Sequence, residues 1–129
     1  MEQKIMKAVF RDLREKDIEI SNSLSDALSN KADVEYLQEI SAKSCVISDI
    51  RHDCKENKSL RRPFAYMQYL KNLHTVANED YVSASLSRMD KSELHVRHAK
   101  LEQLTQLMFD VRWIVADMMD EILTAGIAD

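Results

Sequence analysis

The sequence predicts an all-α fold: four main helices in an antiparallel, coiled-coil-like bundle with a long C-terminal helix over about residues 91–125. Three observations predict it. The 129 residues include one glycine, Gly126, and one proline, Pro63. A chain that turns often needs those residues at its turns, so sandwiches, barrels and α/β folds are excluded. Apolar residues recur at intervals of three and four along most of the chain, which is the helical period. Hydrophobic residues make up 45% and charged ones 31%, the balance of a folded chain, and the length suits a single helical domain over 1–129.

The first helix is expected over 2–29, where Met6, Leu13, Ile20 and Ala27 recur at seven with Phe10 and Leu24 between them. The segment Asn30-Lys-Ala-Asp33 interrupts the pattern, with Asn30 as a candidate cap for the next helix. That helix, 31–56, carries Tyr36, Ile40, Ile47, Ile50 and Cys54 on one stripe, with the small Ser41, Ser44 and Ser48 beside it. Pro63 disfavours helix at Arg62 and suits the first turn of a third helix, 63–89. Its apolar face reads Phe64, Met67, Leu70, Leu73 and Ala77. Beyond a kink expected near 78–80, the face continues through Tyr81, Val82, Leu86 and Met89. Asp90-Lys-Ser-Glu93 has the spacing of a capping box and opens the fourth helix. Gly126 is the expected left-handed residue that closes it, with Ile127 packing back on the last turn. Between these signals Leu94, Leu101, Met108, Val115 and Ile122 lie seven apart, accompanied by Leu104, Val111, Met118 and Ala125.

Composition removes several function classes. No glycine-rich loop can cradle a phosphate, and no dinucleotide fingerprint or glycine-flanked nucleophile elbow is present, so no enzymatic activity and no cofactor are expected. The net charge is −4, and the acidic excess falls in the last quarter. A domain-wide basic surplus, the mark of nonspecific nucleic-acid binding, is missing. Residues 104–123 form the most apolar window, but Asp110, Arg112, Asp117, Asp120 and Glu121 exclude a membrane span there. The charged N-terminal stretch lacks the apolar core of a signal peptide. Cys45 and Cys54 would lie about 13 Å apart on opposite sides of one helix, too far to bridge, which suits a reduced cytoplasmic or similar compartment.

The fourth helix carries more apolar surface than one bundle seam needs. Leu107 and Ile114 broaden one flank, Met119 the other, and Phe109 and Trp113 project from the far side. These five are the candidate partner or dimer interface, since aromatic residues at helical spacing anchor helix-mediated association. The expected role is a non-enzymatic interaction module, a homodimeric adaptor, chaperone or regulator that binds another protein or itself and has no small-molecule substrate. The strongest basic feature is Arg51, Lys55, Lys58, Arg61 and Arg62, opposed locally by Asp53 and Glu56. It supports the alternative of a nucleic-acid-associated regulator. The spacing of His95, His98 and Glu102 is compatible with a metal, but these residues fall on the polar side of the helix, so a solvated surface is expected and no metal site is assigned. Asp49 and His52 lack the second carboxylate–histidine element that a di-iron bundle requires.

Overall fold

The computed structural model describes Glu2–Ala128, and the side chains of those residues except positions 122, 123 and 125–128. The chain folds as four helices packed against each other: α1 (Glu2–Ser29), α2 (Val34–Glu56), α3 (Pro63–Leu86) and α4 (Lys91–Ala128). A single 3-10 turn, Lys58–Arg61, links α2 to α3. No strand occurs among the described residues. None of the described helices is long and apolar enough to cross a membrane.

Helix α4 is the central element, packing against α1, α2 and α3, whereas α2 and α3 hardly touch along their lengths. Neighbours in sequence run antiparallel. The pairs Glu39–His95 and Lys43–Glu102, both 3.4 Å, show that α2 and α4 run in the same direction. All four helices meet where α1 begins, α2 ends, α3 begins and α4 passes its middle. There Ile5, Met6, Val9 and Leu13 pack with Ile47, Ile50, Cys54, Tyr66, Leu70, Leu104, Leu107 and Val111 in one buried cluster. Lys16 ties α1 to α4 beside it, 2.5 Å from both Asp12 and Asp110. Burial pulls the Lys16 ammonium down, but its hydrogen bonds to Asp110 and Asp12 outweigh that and raise it above its ordinary value.

Several local expectations are corrected. Asp33, not Asn30, caps α2: its carboxylate accepts the Tyr36 N–H at 2.9 Å, while Asn30 ends the preceding helix. Helix α3 runs unbroken through 78–80, because Asn78, Glu79 and Asp80 are all exposed and none disturbs the backbone. Its inward face is Tyr66 and Leu70, four apart, whereas Phe64, six residues before Leu70, turns to the far side and is 84% exposed. For the same reason Ala84 is buried while Val82 and Leu86 face outward. Asp90 accepts the Ser92 N–H at 3.5 Å. Helix α4 continues through Gly126 to Ala128, so Gly126 is not its terminator. The expected packing of Ile122, Ala125 and Ile127 falls outside the described side chains.

The chain makes its two tight turns without glycine. After α1, Ala32 N–H reaches Ala27 O at 2.9 Å and Lys31 N–H reaches Leu28 O at 3.4 Å. After α3, Met89 N–H reaches Ala84 O at 3.2 Å and Arg88 N–H reaches Ser85 O at 3.4 Å. Both are Schellman closures, and Lys31 (φ 53°) and Arg88 (φ 54°) occupy the left-handed position that glycine usually takes. A cation there complements the negative end of the helix it closes.

Candidate functional site

Two surfaces bring the predicted site residues together, and they lie on different helices. The first is the outer face of α4. Phe109 is 55%, Trp113 59% and Met119 45% exposed, and the two aromatic rings lie side by side, tilted by 55° with centroids 6.4 Å apart. They sit opposite the buried stripe of Leu104, Leu107 and Val111, as a period of about 3.6 residues per turn requires. Leu107 and Ile114 do not join this face. Leu107 is buried in the chain's own core and Ile114 packs against it, so α1 to α3 cover more of α4 than the helical pattern alone implied. Exposed Arg112, Ala116, Asp117 and Asp120 surround the aromatic pair.

The second surface is a cleft of about 580 Å³ where α1 lies against the C-terminal half of α2 and the 3-10 turn. Phe10, Leu13 and Cys54 form its apolar wall, and Arg14, Arg51, His52, Lys55 and Arg61 its basic lining, with Asp17 the acidic residue among them. Arg51 donates to the Asp17 carboxylate across the two helices. Arg61 caps α2: its Nε donates to Cys54 O at 3.2 Å and its Nη2 to Lys55 O at 3.3 Å. The five basic residues predicted as a patch are therefore divided. Arg51, Lys55 and Arg61 line the cleft; Lys58 and Arg62 do not, and Arg62 sits 3.5 Å from Glu2. Arg14 was missed because it comes from another helix. The available signal was its place beside Phe10, Leu13 and Asp17 at helical spacing.

Cys54 is a poor nucleophile. Burial, followed by the nearby Asp53 carboxylate, pushes its thiol up to about 11. Tyr69 donates its hydroxyl proton to Asp53, and burial together with that bond raises the phenol well above its ordinary value. Cys45 is exposed, and both thiols are free. His95 lies 3.4 Å from Glu39, and His98 Nδ1 3.7 Å from Glu102 and against the Tyr81 ring. These contacts link α2, α3 and α4 at the surface. Among the described residues, no three of His, Cys, Asp and Glu come together as a metal site. His74 bonds Thr105 at 3.0 Å on the boundary between α3 and α4. No family model, curated protein or solved structure matches the chain.

Proposed function

We propose that this chain is a non-enzymatic protein–protein interaction module, of the kind that serves as a dimeric adaptor, chaperone or regulator, and that a second copy of the chain covers the outer face of α4. The observation that carries the reading is the adjoining Phe109–Trp113 ring pair, more than half exposed on the helix that every other helix packs against. Large aromatic side chains left in water this way gain most by burial against a partner.

The charges around the pair favour a second copy as occupant. Arg112 and Asp117 are exposed, five residues apart, on opposite flanks of the aromatic stripe. Two copies of α4 laid side by side in parallel bring Arg112 of one next to Asp117 of the other, the spacing that pairs flanking charges in coiled coils. Ala116, in line with Phe109, lets the backbones approach. Asp120 ends the apolar stripe and limits the affinity.

Sedimentation equilibrium tests the reading. The wild type is expected to dimerise in the micromolar range, and Phe109→Ala with Trp113→Ala to weaken the dimer by ~2 kcal/mol or more. Because both side chains are exposed in the single chain, the fold itself should survive. A wild type that stays monomeric at high micromolar concentration overturns the proposal.

A further inference from the structure

We infer that the cleft between α1 and α2 is a binding site for an organic anion with an apolar body, of the class of aryl phosphates and aryl carboxylates. Its volume of about 580 Å³ lies within the range of small-ligand sites. The lining divides by chemistry: Phe10 and Leu13 offer an apolar wall to the body of a ligand, and Arg14, Arg51, Lys55 and Arg61 surround the space with cations for its head group.

Two of those cations are held in place before any ligand arrives. Asp17 fixes Arg51, and the carbonyls of Cys54 and Lys55 fix Arg61. Each guanidinium keeps further N–H donors for a carboxylate or phosphate, and prior fixing lowers the entropy lost on binding. Arg61 has a second effect. The C-terminus of α2 carries the negative end of its helix dipole, which would repel an anion; the guanidinium on the last carbonyls offsets it. The lining's one carboxylate, Asp17, is neutralised by Arg51. Arg14 and Lys55 are exposed at the rim, where they attract an anion at long range. The site uses none of the residues on the outer face of α4, so it stands or falls independently of dimerisation.

The test is calorimetric titration of the full chain with phenyl phosphate and with benzoate, using inorganic phosphate and phenol as the two halves of the first probe, together with amide chemical shifts. Phenyl phosphate should bind at least about ten-fold more tightly than either half, weaken as salt is raised, and shift the amides of Leu13, Ser48 and Lys55. Arg14→Gln combined with Lys55→Gln changes two exposed side chains and should lower affinity by about ten-fold with an unchanged far-ultraviolet spectrum. Equal binding of inorganic phosphate and phenyl phosphate reduces the cleft to a patch of charge and overturns the inference. So does an unaffected double variant, or failure of both phenyl phosphate and benzoate to bind.

Discussion

The two ends of the bundle are built differently. At the end where α3 begins, four helices converge and bury large side chains, with Ile47 and Leu70 at 0% exposure and Tyr66 at 1%. At the opposite end, where the two tight turns lie, the buried residues are mostly alanines: Ala27, Ala42, Ala84 and Ala99, with Ile40. Small side chains let the helices approach but bury little area, and Leu28, Val34, Tyr36, Val82 and Leu86 remain exposed around them. An apolar groove of about 450 Å³ opens there between α1, α2 and α4, and the buried Oε1 of Gln38 has no hydrogen-bond partner among the described residues. Surface pairs such as Glu39–His95 and Lys43–Glu102 add little in such a setting. One end therefore holds the fold together, and the other is held by it.

Core truncation should break this contrast most visibly. Leu70→Ala removes a fully buried side chain where α3 meets the rest of the cluster and should cost ~3–4 kcal/mol in urea unfolding. Leu28→Ala, at a side chain 61% exposed by the groove, should change stability by less than about 0.5 kcal/mol. Similar losses at the two positions would show that the turn end contributes as much to the fold as the other.

The same contrast explains what was legible beforehand. The all-α class, the helices and the break at Pro63 follow from periodicity and turn residues, which act locally. So does the inward placing of Met6, Leu13, Ile47, Ile50 and Leu104. Which of several apolar residues on a broad helix turns inward depends on where its neighbours stand, and that is not a local property. Leu107 could not be separated from Trp113 without knowing that α1, α2 and α3 all pack on α4. Tyr66 takes the inward place expected of Phe64, its ring meeting Phe10 edge-on at 6.2 Å, and that choice too is set by the neighbouring helix α1 rather than by the α3 pattern. The basic cleft was half legible: Arg51, Lys55 and Arg61 lie close in sequence, but Arg14 joins them only through the pairing of α1 with α2.

Alkaline pH probes the packed end on a smaller scale. In the unfolded chain Cys54 titrates near 9.0, while in the fold it holds its proton up to about 11. As pH rises through that interval the unfolded state releases the proton first, so stability is complete below about 9 and declines towards 11. Tyr69, also raised, extends the decline in the same direction. Tyr69→Phe should cost ~1–2 kcal/mol at neutral pH by leaving the half-buried Asp53 without its donor, and should flatten part of the alkaline slope. Cys45, exposed on the same helix, should be alkylated quickly while Cys54 waits for the fold to open. Equal labelling rates would contradict the burial of Cys54.

The smallest expected effects concern the turn end and run against intuition. Lys31 and Arg88 sit at φ 53° and 54°, where a Cβ crowds the backbone and glycine does not. Lys31→Gly and Arg88→Gly should each stabilise the fold by ~0.5–1 kcal/mol, whereas alanine at either position should give no gain. Gly126 presents the reverse case. It lies inside α4, where glycine is the poorer helix former, so Gly126→Ala should add a few tenths of a kcal/mol. The chain's single glycine is thus in a helix and its two glycine-like turns are made by cations. That arrangement fits an end whose turns are held by backbone hydrogen bonds and charge at the helix termini rather than by relaxed backbone geometry. If either glycine substitution at the turns destabilises the protein, the side-chain charge of Lys31 or Arg88 contributes more to closing its helix than the left-handed backbone takes away.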